Sequence, residues 1–239
     1  MKLSIIIPVY NEEKTFTQLI EKVLNVELPI EKELIIVEGG STDGTKSLIH
    51  KYDSNPSIKT FYLKRYSGKG YKVKYGLRQS TGDIILIQDA DLEYNPDEYS
   101  ELIKPIIEGK TKFVLGSRHL GCGTWKIRKF DYSAWRANLI NFVSILYYTL
   151  FWFLYGVRLT DPQTMYKVFK RECLKGIKFK SNQFQLDWEI VIKLVKKGYI
   201  PLEVPVSYNC RTFKEGKKTK LIQDGFLALW AILKYRFVN

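Results

Sequence analysis

The run Ile84-Ile85-Leu86-Ile87-Gln88-Asp89-Ala90-Asp91 sets two carboxylates one residue apart, close behind four consecutive apolar residues. A continuous apolar run of this length predicts a buried strand of a parallel sheet. In open α/β sheets ligands bind beyond the carboxyl ends of such strands. Asp89 and Asp91 are therefore expected at the rim of a pocket, on the same side of the backbone. Paired oxygen donors suit a hard divalent cation, and such a cation commonly carries a phosphate. A solvated turn at a strand end has the same pattern, so the assignment depends on what else the chain brings to that rim.

Two other segments end strands on the same presumed side, Pro8-Val9-Tyr10-Asn11-Glu12 and Glu38-Gly39-Gly40-Ser41-Thr42-Asp43-Gly44-Thr45. Paired glycines let a ligand approach the backbone, and a following helix N-terminus favours negative charge. A second carboxylate pair, Asp187 and Glu189, precedes the apolar face Ile190, Val191, Leu194. Carboxylates also sit at helix N-termini for the dipole alone. Arg118, Arg128, Arg136, Arg211, Lys217, Lys218 and Lys220 lie in or beside predicted loops, where Arg can bind phosphate bidentately and Lys acts as a point charge. His50 and His119 have no motif partners and are assigned to surface or packing.

The elements that must position these residues alternate through the first half. Strands are expected at Leu3–Val9, Glu33–Glu38, Ile58–Leu63, Asp83–Gln88 and Lys112–Leu115. Helices are expected at about Glu12–Asn25, from the Ser41-Thr42-Asp43 cap towards Tyr52, over Gly68–Arg78, and from Asn95-Pro96-Asp97. Such alternation means a mostly parallel sheet with right-handed crossovers. After Gly116 the pattern changes. Residues 117–132 read as irregular and basic, followed by a long aromatic helix at about 133–155, a helix near Asp187–Lys197, a strand at Leu202–Tyr208 and an amphipathic segment at Leu221–Phe237. One domain over 1–239 is expected, with a nucleotide-type half (1–118) and a half that completes the site (119–239).

The chain has 239 residues and a net charge of +13, of which residues 167–239 contribute 16 Lys and Arg against 6 Asp and Glu. Charge concentrated in one third predicts an anionic partner: nucleic acid, anionic lipid or a phosphate-bearing substrate. Cys122, Cys173 and Cys210 show no metal-like spacing, which fits a reducing compartment and argues against a zinc site. The N-terminal apolar run is short and ends at Pro8, unlike a signal peptide. Leu139 to Val157 has borderline length for a membrane span, but Asn141, Ser144, Thr149 and three tyrosines interrupt it. A core or interfacial helix is expected there.

Taken in order, Pro-x-Tyr-Asn-Glu, Val-Glu-Gly-Gly-Ser-Thr-Asp-Gly-Thr, Gly68-Lys69-Gly70 and Gln88-Asp89-Ala90-Asp91-Leu92-Glu93 resemble family 2 glycosyltransferases of the GT-A fold. The resemblance continues through Gly116-Ser117-Arg118, Thr160-Asp161-Pro162, Asp187-Trp188-Glu189, Glu203 to Tyr208 and Arg211 to Lys218, and so covers nearly the whole chain. It is greatest towards the branch of dolichol-phosphate mannose synthases and bacterial polyprenyl-phosphate glycosyltransferases. It implies a Rossmann-like, mostly parallel central sheet flanked by helices, with C-terminal helices completing the acceptor site.

The resemblance also implies roles. Pro8, Tyr10 and Glu12 would line the base and ribose pocket of a nucleotide sugar. Glu38 stands where the family usually has its first Asp, and Gly39 where it often has a second; Glu38 would reach the same partner with one extra methylene. Lys69 would lie close to the nucleotide. Asp89 and Asp91 would hold Mg2+ or Mn2+ against the diphosphate, with Glu93 as a third oxygen donor. Arg118, Arg136, Asp161, Glu189, Arg211, Lys217 and Lys218 would bind substrate, and the loop Arg211–Lys220 would close over the diphosphate as a lid. Asp187 would act as general base towards a hydroxyl acceptor, or position the sugar or acceptor if that acceptor is a phosphate.

The implied activity is inverting, metal-dependent transfer of a hexose from GDP-mannose or a UDP-sugar to a polyprenyl or dolichyl phosphate. The enzyme would be cytoplasmic, peripheral at the cytoplasmic face of the membrane, with a homodimer through the aromatic helix as a further possibility. The acceptor could instead be a sugar hydroxyl of a polysaccharide or glycolipid. A basic nucleic-acid-binding protein and a nucleotidyltransferase are the remaining alternatives; no nucleic-acid motif is present, so no nucleic-acid partner is expected.

Overall fold

The computed structural model describes residues 1–64, 67–127, 134–211 and 221–238, with backbone alone at positions 134, 136, 221 and 222. The first strand, β1 (Lys2–Val9), is buried along nearly its whole length and lies in the interior of the sheet. Helix α1 (Phe16–Asn25) returns over it, burying Phe16, Leu19, Ile20 and Val23, the i, i+3, i+4, i+7 stripe of an amphipathic helix. Strand β2 (Glu31–Glu38), helix α2 (Thr45–His50), strand β3 (Ile58–Tyr62), helix α3 (Lys69–Gln79) and strand β4 (Ile84–Ile87) complete the parallel layer. All four residues of β4 are fully buried, as a strand covered on both faces requires.

A single 3-10 turn at Pro96–Glu98 opens helix α4 (Tyr99–Ile107), with the Asn95 side chain accepting from the Asp97 N–H. Strand β5 (Phe113–Ser117) leads into a short helix α5 (Arg118–Cys122), and the long helix α6 (Ala134–Tyr155) follows. The chain then adds strand β6 (Lys167–Lys170), helix α7 (Leu186–Lys196), strand β7 (Leu202–Pro205) and helix α8 (Leu221–Phe237). The sheet order is β3-β2-β1-β4-β6-β5-β7.

The sheet is mixed. β6 lies antiparallel between β4 and β5, and sequence analysis placed no strand there. Strand β5 therefore pairs with β6 and with β7, rather than directly with β4. Several expected boundaries also shift, among them the start of α1, which is Phe16 rather than about Glu12. The strand at 202–208 ends at Pro205, and residues 118–122 are helical rather than irregular. One hydrophobic core joins β1, β2, β4 and β5 to α7 and the inner faces of α6 and α8.

The order reverses at β1, where β2 and β4 flank it on opposite sides. Crossovers leave the sheet in opposite senses at such a point and open a crevice beyond the strand ends. Gly68 and Gly70 allow the start of α3 to close against residues 182–186; a Cβ at Gly68 would stand 2.3 Å from the Asn182 carbonyl oxygen.

Candidate active site

The crevice beyond β1 and β4 is the mouth of a cavity of about 800 Å³. Asp89 and Asp91 follow β4 and line it, together with Pro8 near the end of β1 and Tyr10 and Glu12 beyond it. The main chain around the two aspartates is fixed from several sides. Gln88 donates its side-chain amide to the Asp89 carbonyl at 2.7 Å and accepts from the Tyr99 hydroxyl at 2.7 Å. Thr15 donates to the Ala90 carbonyl at 2.8 Å. Leu92 has a φ of +60°, a left-handed conformation uncommon for a branched residue and characteristic of constrained sites. That turn lets the Glu93 N–H donate to Asp91 Oδ1 at 3.2 Å.

Each aspartate faces a cation. Lys69 Nζ lies 2.7 Å from Asp89 Oδ1, between Met165 and the ring of Phe184. Burial works to lower the Lys69 pKa, but the Asp89, Asp187 and Asp91 carboxylates outweigh it and hold the ammonium charged. Arg211 reaches across from the segment after β7, placing Nη2 at 2.9 Å from Asp91 and Nη1 at 3.1 Å from Glu12. Burial, then the neighbouring Asp89 and Glu93 charges, push Asp91 up to about 7 against the opposing pull of Arg211. Asp187, in the first turn of α7, also lines the cavity. Burial raises its pKa, with Lys69 and Lys167 opposing, and among the described residues none is found hydrogen-bonded to its carboxylate.

From this polar end the cavity runs to an apolar one. Leu139, Val143 and Tyr147 of α6 line it opposite Phe226 and Ala228 of α8. The two helices are tied where the Tyr147 hydroxyl donates to the Gly225 carbonyl at 3.1 Å and the Tyr155 hydroxyl to Ile232 at 2.7 Å.

Residues 4–177 match the profile of glycosyl transferase family 2. The chain belongs to that family. It is 26% identical over 237 residues to a dolichol-phosphate mannosyltransferase of Pyrococcus furiosus, covering 98% of this chain and 64% of the relative. It is 30% identical over 220 residues to a dolichyl-phosphate beta-glucosyltransferase of Trichomonas vaginalis, covering 87% of this chain and 65% of the relative. The chain thus spans just under two thirds of the length of these two curated relatives. Crystal structures of glucosyl-3-phosphoglycerate synthase from Mycobacterium tuberculosis share the fold. One superposes with a TM-score of 0.73 at 18% identity, covering 100% of this chain and 82% of that one. Another, in complex with Mn2+, UDP and glucosyl-3-phosphoglycerate, gives 0.72 at 17% identity, covering 100% and 81%. The fold is GT-A-like, as expected from the motifs.

The structure of this family 2 chain brings Pro8, Tyr10, Glu12, Lys69, Asp89, Asp91, Glu93, Arg118, Asp187 and Arg211 around one cavity. Other expected site residues are placed differently. Glu93, though at the cavity, is already engaged at both oxygens: its Oε2 accepts from the Tyr208 hydroxyl at 2.6 Å and its Oε1 from the Arg211 N–H at 2.9 Å. Among the described residues no group of three or more His, Cys, Asp or Glu is gathered for a metal. Glu38 does not line the cavity; buried at the end of β2, it accepts from the Ser41 N–H at 2.5 Å and braces its own turn. Beside it, the space at Gly39 is taken by Lys72, whose Cδ would stand 2.6 Å from a Cβ there.

Asp161 is fully buried and binds the Arg118 side chain through Nε at 2.6 Å and Nη2 at 2.7 Å. It positions Arg118, which does line the cavity, rather than touching a ligand there. Glu189 is fully buried on the far side of α7, where it takes Lys193 at 2.7 Å and the N–H groups of Lys180 and Ser181 at 2.8 Å. Lys217, Lys218, Lys220, Arg128 and the lid over 212–220 lie outside the described residues, as does the side chain of Arg136. Sequence reasoning missed Lys72, whose Nζ lies 5.2 Å from the Tyr10 ring centroid. Its signal was present: three residues after Lys69, it shares that face of α3.

Proposed function

We propose that this protein transfers a hexose from a nucleotide sugar to a polyprenyl or dolichyl phosphate. The observation that carries this reading is the two-ended cavity, with carboxylates and cations beneath the sheet rim and an apolar exit between α6 and α8. A nucleoside diphosphate suits the first end and a lipid chain the second. The activities for which the Pyrococcus and Trichomonas relatives are named agree with it. The donor in this proposal is GDP-mannose or a UDP-sugar.

Asp89 and Asp91 fit Mg2+ or Mn2+. They supply two hard oxygen donors at the mouth of one cavity, and burial leads the rise in the Asp91 pKa, with the neighbouring Asp89 and Glu93 charges adding to it. Mg2+ in particular is commonly bound through one or two carboxylates plus substrate phosphates, so the absence of a third protein ligand is no obstacle. Such a cation would stabilise the departing diphosphate. Lys69 and Arg211 add positive charge on the same side. Arg118 is held by Asp161 facing the cavity, with its guanidinium 5.0 Å from the Tyr208 ring centroid. An acceptor phosphate is already anionic and would attack the anomeric carbon from the face opposite the diphosphate, inverting it. The open Asp187 carboxylate supports a second reading, a hydroxyl acceptor with Asp187 as general base.

The site of action in this proposal is the cytoplasmic face of a membrane. None of Cys122, Cys173 and Cys210 is joined in a disulfide, in keeping with a reducing compartment. The exposed face of α6 presents Trp135, Leu139, Phe142, Leu146 and Phe153, and that of α8 presents Phe226, Trp230, Leu233 and Phe237.

The test is transfer from radiolabelled GDP-mannose and UDP-glucose to a short polyprenyl phosphate, with and without Mn2+. Asp89→Asn and Asp91→Asn are each expected to lower the rate by roughly 10²-fold or more, the range for loss of one transition-state charge contact. Full activity in either variant would overturn the donor-site assignment.

A further inference from the structure

Arg211 is seated on a carboxylate that a metal at Asp89 and Asp91 would need. Its Nη2 sits 2.9 Å from Asp91 Oδ2, its Nη1 3.1 Å from Glu12, and its own N–H donates to Glu93 at 2.9 Å. A divalent cation bound to Asp91 would approach that carboxylate to about 2.0–2.2 Å, against a guanidinium already seated on it. Lys69 is a poorer candidate to yield. It is walled in by Met165 and Phe184 beside Asp89, whereas Arg211 reaches in from the chain segment beyond β7.

We infer that Arg211 is a resident counter-cation of the donor site, which exchanges its carboxylate partners for the diphosphate when metal and donor bind together. The inference rests on the donor-site reading given above. Without a diphosphate, metal and guanidinium compete for Asp91 and repel each other, so metal alone binds weakly. With a diphosphate, both cations share one anion, so metal and nucleotide reinforce each other. Coupling of this kind is reciprocal: each ligand strengthens the other by the same factor. Arg211 thereby weakens the binding of metal alone and strengthens the binding of the metal–nucleotide pair. A plain phosphate ligand would do only the second.

Mn2+ binding, followed by loss of the free-ion electron paramagnetic resonance signal, separates the two. The proteins are wild type, Arg211→Met and Arg211→Lys, each alone and with UDP or GDP. Removing the charge in Arg211→Met is expected to tighten Mn2+ alone by roughly tenfold and to weaken Mn2+ in the presence of the nucleotide, shrinking a coupling of ordinary size. Arg211→Lys keeps the charge and is expected to fall between, which also serves if the Met variant does not fold. Mn2+ alone binding no more tightly to either folded variant than to wild type would overturn the exchange while leaving the donor site intact. Failure of wild type to bind Mn2+ with either nucleotide would overturn both.

Discussion

Asp187 stands at the head of α7 with its carboxylate facing the cavity, and its task depends on the acceptor. Against a hydroxyl it must take a proton, and general-base contributions run to about 10²–10⁴-fold. Against a phosphate it has no proton to take. Asp187→Asn is therefore expected to leave most of the rate with polyprenyl phosphate, within about tenfold, while a sugar-hydroxyl acceptor would lose the full general-base factor. Steady-state rates with the two acceptor classes make the comparison. The same helix separates the two carboxylates of the Asp-x-Glu motif. Residues two apart on a helix point nearly to opposite sides, so an Asp187 that faces the cavity sends Glu189 the other way, to Lys193 and the N–H groups of Lys180 and Ser181. That outcome was legible in the spacing. The engagement of Glu93 by Tyr208 and Arg211 was not, because it joins residues more than a hundred positions apart.

At the scale of elements, the link between α5 and the loop before β6 shows what holds the site's walls. Asp161 accepts from the Arg118 N–H at 3.1 Å as well as from its side chain. Glu203 of β7 in turn accepts from the Asp161 N–H at 2.9 Å and from Thr160. Removing one member of a buried ion pair strands the other, so Asp161→Asn is expected to cost about 3–5 kcal/mol by urea denaturation. The pH dependence has a definite sign. Burial alone would raise the Asp161 pKa, but Arg118 overcomes it and holds the carboxyl below its ordinary value. A depressed folded-state pKa gives stability that is fully present above the unfolded value near 3.9 and lost as pH falls through the folded one. Wild type should therefore lose stability below about pH 4 more steeply than Asp161→Asn. Parallel curves would remove the pair from the account. The strands that carry Asp89 and Pro8 were readable in advance because each is an unbroken apolar run. β6 was not: Lys167-Val168-Phe169-Lys170 is four residues long with a lysine at each end. Only tertiary context explains a fully buried Lys167, whose pKa burial lowers to about 8.

For the molecule as a whole, the unusual surface is the outer face of α6 and α8. On α6, Ala137, Asn141, Ser144, Tyr148 and Phe151 turn inward, and the apolar residues on the opposite side stay exposed. One buried face and an exposed apolar face opposite it explain why the sequence read equally well as a core helix and an interfacial one. Single exposed apolar residues are common, but a contiguous face of this kind marks a contact. The membrane proposal predicts binding to anionic vesicles in a flotation assay. Changing Phe142, Phe226 and Trp230 to Ser is expected to weaken it by roughly tenfold or more, since each such side chain contributes on the order of 1.5–3 kcal/mol when fully buried. Unchanged vesicle binding would refute the face; a loss of dimer in sedimentation instead would assign it to a second copy. The antiparallel β6 carries a separate consequence, for biosynthesis. Chain emerging from the ribosome up to β5 carries one facing edge on β4 and another on β5, and neither finds its neighbour until residues 167–170 have been made. Unpaired edges invite mispairing. Roughly fifty residues, the apolar α6 among them, are translated in that interval, at about 5–20 residues per second. The nascent chain therefore spends a few seconds with its sheet split in two, and that interval is when both edges are open to mispairing.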